Sequence, residues 1–459
     1  MDTINAIIDE LKEQYLDTLS RWIAVPSVKA DAADGAPFGA EVARMLDVAL
    51  KDCADMGFAV RNIDHYAGDA RMGPVGVDPL GILANLDVVP VGDGWLTDPF
   101  AATRQGDRIA GRGTSDDKGP ALAALFAMLA IQKAGIPLRR EVRLILGCDE
   151  ESGWADIDYY VAHCDMPKVG FSPDSNFPVI NTEKGGLNLT LRAPAATDGL
   201  RVRKIAVGER VNVIPGKASA VIEGDAAFCE HVNQLAKQMT LDVDATDNGD
   251  GTLTLHAAGI PGHAAYPESA RNANGILLLM LRALGVTGGL RALADRVGVE
   301  YDGGSMNIAC SDATSGALTC NLGILRYDEN GLYATLDIRY PLLANPDAIV
   351  EALTAALKPE LDVTLDHSRV PHHVAPSSPL VTALLDAYHD VTGRPKECIA
   401  TGGGTYARCL EEGVAFGCAF PEEEDVAHQA NESIDLNRMI ECIRIFAYAI
   451  VKLAGASVE

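Results

Sequence analysis

Five short polar islands in this chain combine carboxylates with a single remote imidazole. They are Asn85-Leu86-Asp87-Val88-Val89-Pro90, Gly113-Thr114-Ser115-Asp116-Asp117-Lys118-Gly119-Pro120, Asp149-Glu150-Glu151-Ser152-Gly153, Phe171-Ser172-Pro173-Asp174 and His428-Gln429-Ala430-Asn431-Glu432. An acidic pair by itself is usually a solvated face. Here Asp149-Glu150-Glu151 follows directly on Val142-Arg143-Leu144-Ile145-Leu146, a run too apolar to face water. Adjacent carboxylates in such a place repel one another and need a compensating cation. A mixed oxygen and imidazole donor set suits a divalent ion such as zinc, manganese or cobalt better than a structural zinc finger.

The elements that must position these groups read as alternating strands and helices. Gly81-Ile82-Leu83, Val142–Leu146 and Lys168-Val169-Gly170-Phe171 are short apolar runs of strand length, and each is followed by an acidic island. Between Asp116 and the second of them, Pro120 to Ala130 is a strong helix former with an apolar surface too broad for a solvent-facing helix. The order is βαβ, and in open α/β sheets ligands collect beyond the carboxyl ends of the strands. Loops after several strands can therefore converge on one ion.

Taken together, these motifs resemble the dinuclear metallopeptidases of the M20 type, and within them the dipeptidase V group. The resemblance runs from Asp87-Val88-Val89-Pro90-Val91-Gly92-Asp93-Gly94-Trp95 through Gly111-Arg112-Gly113 to Gly402-Gly403-Gly404-Thr405-Tyr406-Ala407-Arg408 and His428–Glu432. It implies two divalent metal ions, zinc or manganese with cobalt as an option. Asp116 would bridge them, with a cis peptide to Asp117. Glu151 and His428 would complete one centre and Asp174 would belong to the other. Glu150 would be the general base acting on metal-activated water, and Asp87 would orient a ligand from behind.

One position departs from the pattern. Two residues before Asp87 the family places a histidine ligand, whereas this chain has Asn85. An amide offers a neutral oxygen of shorter reach, which suits harder ions. We expect Asn85 to donate its NH₂ to Asp87 and to turn its carbonyl oxygen toward a hard or weakly held second metal, or toward a water filling the gap. An engineered replacement and a decaying, non-catalytic site are the competing accounts. Against decay, Asp116, Glu150, Glu151, Asp174 and His428 all survive.

Around Gly186 the pattern changes to strand-like alternation, and the α/β pattern resumes near Leu380. The expected organisation is a discontinuous catalytic domain, 1–186 plus 377–459, interrupted by a lid domain, 187–376. The fold class is α/β: a mixed-sheet catalytic domain of the zinc-exopeptidase type with an inserted α+β lid. By the resemblance, an insert of roughly 190 residues is long enough for two open-faced sandwich halves, so one chain would supply what dimeric relatives borrow from a neighbour. A monomer is expected. His263, in Gly259-Ile260-Pro261-Gly262-His263, is similar to the family's histidine that donates to the oxyanion on the attacked carbonyl. Asn212 and Arg339 resemble residues that fix the substrate, Arg339 by a bidentate clamp on a terminal carboxylate. Gly403 and Thr405 precede a short helix, Tyr406 to Leu410, and offer backbone N–H groups to a carboxylate or carbonyl. No phosphate-loop or dinucleotide spacing accompanies these glycines.

Composition narrows the partners. The chain has 459 residues, 48% of them hydrophobic, enough for two or more domains. A net charge of −26 argues against nucleic acid and anionic membranes as partners, leaving a small peptide as the expected substrate. Thr3 to Trp22 has the spacing of one amphipathic helix and not of a signal segment. Ten cysteines at irregular spacing read as reduced core thiols, and the expected location is cytoplasmic. The favoured activity is hydrolysis of dipeptides with a free amino end. An N-acyl-amino-acid deacylase would use the same chemistry on a blocked amine. A metal- and peptide-binding homologue without turnover is the alternative from another class, should Asn85 have emptied the second site.

Overall fold

The computed structural model describes residues 1–424 and 426–455. The chain divides into two units, one made of 1–181, 374–399 and 404–455, the other of 182–373 and 400–403.

The first unit is built on a mixed sheet. Its strands lie in the order Ala59–Ile63, Ala67–Met72, Val142–Gly147, Leu80–Asn85, Val169–Ser172, Glu412–Ala415 and, through Ile180, Val179–Glu183. The four strands from Val142–Gly147 to Glu412–Ala415 are parallel to their neighbours, and the outer ones are antiparallel. Every residue of Leu80–Asn85 and Val142–Gly147 is buried, as the apolar composition requires of central parallel strands. The register pairs Asn85 with Gly147 and Ile82 with Phe171, so these three adjacent strands end side by side. Their following loops carry Asn85 and Asp87, Glu150 and Glu151, and Asp174.

The expected central helix runs Lys118–Lys133 and is buried on all sides from Lys118 to Ile131. It shares one apolar cluster with the helices Leu436–Ala454, Ala40–Asp55 and Pro379–Thr392. The N-terminal helix expected over Thr3–Trp22 is instead two, Asp2–Glu10 and Lys12–Ile23. Leu11 stays in the right-handed region, but its N–H is shared between the carbonyls of Ile7 and Ile8, a local tightening that apolar spacing does not register.

The second unit has one eight-stranded antiparallel sheet. One half contributes Val243–Asp247, Thr252–Ala258, Lys217–Glu223 and Val202–Val207, and the other Thr319–Asp328, Gly331–Tyr340, Gly185–Ala193 and Asp362–Arg369. The halves are joined edge to edge where Ile205 pairs with Tyr327. Alternation along Lys217–Glu223 and Thr252–Ala258 turns one face inward, where Val232, Leu277, Leu290 and Leu353 from four helices complete a separate core. Among the described residues no single helix is long and apolar enough to cross a membrane.

Candidate metal centre

Three side chains from three distant segments meet in the first unit. His428 Nε2 lies 2.9 Å from Asp116 Oδ2 and 3.0 Å from Glu151 Oε2. The ligand atoms of the three lie within 4.8 Å of one another. His428 has φ +63°, in the left-handed region that histidine enters more readily than most residues. Asp174 lies close enough to this group that, after burial, the Asp116 and Glu151 charges raise its carboxyl. The peptide between Asp116 and Asp117 is cis.

The sequence places each of these groups by a different device. Asp116 and Asp117 sit at the start of the buried helix Lys118–Lys133, with Asp117 as its N-cap residue. The loop before them is held by Glu432, a fully buried carboxylate whose Oε1 accepts N–H groups of Gly113 at 3.1 Å, Ser115 at 2.8 Å and Asp116 at 3.1 Å. Glu432 Oε2 is neutralised by Arg112 Nη1 at 2.6 Å, and the guanidinium lies over the Trp95 ring. Asp87 is also fully buried, and accepts the N–H groups of Glu150 and Glu151, each at 3.1 Å. It thus fixes the loop that carries both glutamates. Trp154 Nε1 adds a bond to the Glu150 carbonyl at 2.9 Å.

Two expectations need correction here. Of the run 149–151, Asp149 does not face the cluster; it pairs with Lys29 Nζ at 2.6 Å and takes the Ser152 hydroxyl at 2.5 Å, so a protein cation balances it. Asn85 donates its NH₂ to the Asp87 main-chain carbonyl at 3.3 Å, because the Asp87 carboxylate is engaged by the two glutamate N–H groups.

The electrostatics follow from crowding. Burial, then the charges of Asp174, Glu151, Asp87 and Asp116, pushes the Glu150 carboxyl well above the usual carboxylate range. Asp174 is raised by burial and by Asp116, Asp87 by burial and by Glu151, and Asp117 by burial and by Asp174. Glu151 is pushed up to about 7, by burial first and the Asp116 charge next. Burial would lower His428, but hydrogen bonds and charges from Asp116 and Glu151 outweigh it and raise it to about 11. Three buried oxygens, Asn85 Oδ1, Asp117 Oδ1 and Glu151 Oε1, have no hydrogen-bond partner among the described residues. Like-charged carboxylates around unpartnered oxygens are what a divalent cation relieves, so the residues present fit the metal implied by their types.

The remaining candidates lie elsewhere. Thr405 caps the short 3₁₀ turn Tyr406–Cys409, its hydroxyl accepting from Ala407 N at 3.2 Å. In the second unit, His263 stands on the short ladder that pairs it with Val213, Asn212 is the turn residue just before that strand, and the Asn212 carbonyl accepts from Ala264 N at 2.9 Å. His263 Nδ1 accepts from Ala265 N at 3.2 Å, which puts the ring proton on Nε2. Gly403 N–H donates to Thr401 Oγ1 at 3.0 Å. Arg339 differs from expectation: its Nε and Nη2 form a bidentate pair with Asp337 at 2.6 and 2.7 Å, and Nη1 donates to Gly402 O at 3.2 Å. The forked edge expected to grip a substrate carboxylate is taken by a neighbour two residues away.

Sequence reasoning assigned no role to Glu432 or to the Asp156–Tyr406 pair. Asp156 accepts the N–H groups of Cys148 and Asp149 and the Tyr406 hydroxyl, bracing the turn before Glu150. For Glu432 a signal existed, an acidic residue four positions after His428 in the same island.

A parallel-centred α/β unit whose acidic loops gather around one imidazole defines a hydrolase of the divalent-metal class. The profile of peptidase family M20/M25/M40 matches residues 81–452, and the chain belongs to that family. It is 37% identical over 458 residues to YtjP of Bacillus subtilis, covering 96% of this chain and 98% of that protein. It is 32% identical over 463 residues to SH1171 of Staphylococcus haemolyticus, covering 97% and 98%. Among solved structures the fold is similar to human carnosine dipeptidase 1, with TM-score 0.62, 16% identity and 98% of each chain covered. It is also similar to the dipeptidase Dug1p from Saccharomyces cerevisiae, with TM-score 0.60, 15% identity and 98% of each chain covered.

Proposed function

We propose that this chain is a divalent-metal-dependent dipeptidase that cleaves dipeptides with a free amino end. The observation that carries the reading is the meeting of Asp116, Glu151 and His428 within hydrogen-bonding distance. The names of both bacterial relatives assign them provisionally to the dipeptidases, which agrees with it.

In this reading Asp116, Glu151 and His428 hold one ion, and Asp116, Asp174 and Asn85 hold a second. Bound divalent ions supply Lewis acidity toward the scissile carbonyl and lower the pKa of water. The chain's own residues do the rest. Glu150, raised by burial and held by Asp87 and Trp154, takes a proton at its carboxylate and returns it to the leaving amine. His263, with its proton on Nε2, is suited to donate to an oxyanion. We assign Asn212, Arg339, Gly403 and Thr405 to substrate binding, Arg339 through the remaining N–H of Nη1 and not through the Nε and Nη2 fork spent on Asp337. A monomer in the cytoplasm belongs to the same reading.

The test is a panel of dipeptides beside acetylated amino acids, each assayed with zinc, manganese and cobalt. Turnover of free-amine dipeptides, lost on Glu150→Gln, is the expected result. Turnover confined to acetylated substrates would make the protein a deacylase. Asn85 favours one second reading, a metal-binding homologue without turnover, and silence under every metal would select it.

A further inference from the structure

Asn85 closes the strand Leu80–Asn85 and is 1% exposed. Its main-chain N–H donates to Asp117 Oδ2 at 3.1 Å, and its side-chain NH₂ donates to the Asp87 carbonyl at 3.3 Å. Only an NH₂ can serve a carbonyl acceptor, so these partners fix the amide orientation chemically. The other end of the amide, Oδ1, is left buried with no hydrogen-bond partner among the described residues. When ionised, the Asp117 carboxylate beside this corner is an acceptor too and cannot satisfy it. Asp117 carries an unpartnered Oδ1 of its own, and feels the charges of Asp174 and Asp116. A buried carbonyl oxygen among carboxylates is relieved by a cation.

The nitrogen donor lies in the other half of the cluster. His428 Nε2 is bonded to Asp116 Oδ2 and Glu151 Oε2, and Glu151 Oε1 is a further unpartnered oxygen on that side. The two halves share Asp116, whose charge also acts on Asp174. One half thus offers an imidazole with carboxylates, the other oxygens alone, one of them neutral. Imidazole suits zinc, whereas carboxylate and carbonyl oxygens suit manganese, magnesium or calcium.

We propose that the two cation sites are chemically unequal: the His428 side takes a zinc-like ion, and the Asn85 side is an all-oxygen site, using Asn85 Oδ1 as a ligand, that selects a hard ion of the manganese class. This rests on the metal-dependent reading above and adds which ion each side prefers.

The test is metal content of the full chain after chelation and equilibrium dialysis against zinc, manganese or both, in the absence of substrate. Zinc alone should give one tight equivalent, with a second weaker by about tenfold or more. Dialysis against both, with zinc held near one equivalent and manganese in large excess, should give one of each per chain. Asn85→His should convert the protein to two tight zinc equivalents. Asn85→Leu should lose the manganese equivalent while keeping the first zinc, whose retention shows that the fold survives. Two equally tight zinc ions in the natural chain, or manganese binding unchanged in Asn85→Leu, would overturn the proposal; the latter would mean that a water, not an ion, faces Oδ1. If one zinc and one manganese bind yet no dipeptide is cleaved, the peptidase reading falls and the unequal pair stands.

Discussion

Glu150 and Glu151 are consecutive and share one loop, yet their surroundings separate their tasks. Glu151 is tied to His428 and reaches the imidazole at 3.0 Å, while Glu150 has no cationic partner among the described residues and is raised by burial and four neighbouring carboxylates. A carboxyl held that high is poised to exchange a proton and is a poor permanent anion. Glu150→Gln should therefore cut kcat by about 10² to 10⁴ while metal content stays within error of the parent, read by steady-state kinetics beside metal analysis. Loss of metal in parallel with activity would make Glu150 a ligand instead. Glu432 gives a contrasting case, because it touches no proposed substrate or ion and shapes the loop that carries Asp116. In Glu432→Gln the amide replaces an anion that three N–H groups and Arg112 share, and Arg112 is left charged with 1% of its side chain exposed. A ligand-supporting residue of this kind is worth about 10 to 100-fold in metal affinity. A competing-chelator titration on Glu432→Gln, with circular dichroism as the fold control, should show that loss with His428 and Glu151 intact. Unchanged affinity would show that the loop keeps its shape unaided.

The loops converge because three adjacent parallel strands end in register, and that depends on how closely the strands approach. Gly170 lies on Val169–Ser172, and a Cβ there would come within 2.1 Å of the Gly81 carbonyl oxygen on the neighbouring strand. Backbone atoms cannot swing aside as a side chain can, so Gly170→Ala must spread the strands. It should destabilise the first unit by about 1–3 kcal/mol, seen in thermal denaturation, and weaken metal binding, since the separated strands lead to Asp87 and Asp174. A stable variant with normal affinity would show that the register tolerates displacement. This level of organisation is where the sequence was most legible. Short apolar runs ending in acidic islands marked the central strands, and the apolar stretch from Pro120 to Ala130 marked the buried helix. What stayed hidden depended on partners far apart in the chain: Asp156 with Tyr406, 250 residues away, and Glu432 with Gly113, 319 away, leave no local period to read. The break at Leu11 was invisible because apolar spacing continues across it. The Asp337–Arg339 pair is different. Residues two apart on a strand share a face, so that spacing itself carried the signal that Arg339 has a carboxylate beside it.

At the scale of the whole molecule, the proposed ion ligands, Asn85, Asp116, Glu151, Asp174 and His428, all belong to the first unit, while the second closes an apolar core of its own. A ligand that binds only the folded form stabilises by about 2.7 kcal/mol when present at 100 times its Kd. In a chain with two cores that gain need not be shared equally. Scanning calorimetry should resolve two components, of which metal moves only one upward and chelation returns it. The size of the shift should depend on pH, and its sign follows from the raised groups. In chelated protein Glu151 holds its proton up to about 7 and His428 up to about 11, so below about 7 a cation must displace protons from both, and above it still from the imidazole, with the raised Asp174 adding to the competition. Proton competition weakens as pH rises, so metal affinity, and with it the metal-induced rise in Tm, should be larger at pH 8 than at pH 6 at the same free metal concentration. A shift that is equal at the two values, or larger at pH 6, would remove Glu151 and His428 from the coordinating set. A single transition moved as a whole by metal would instead show that the two cores unfold together, and the stabilisation would then belong to the entire chain.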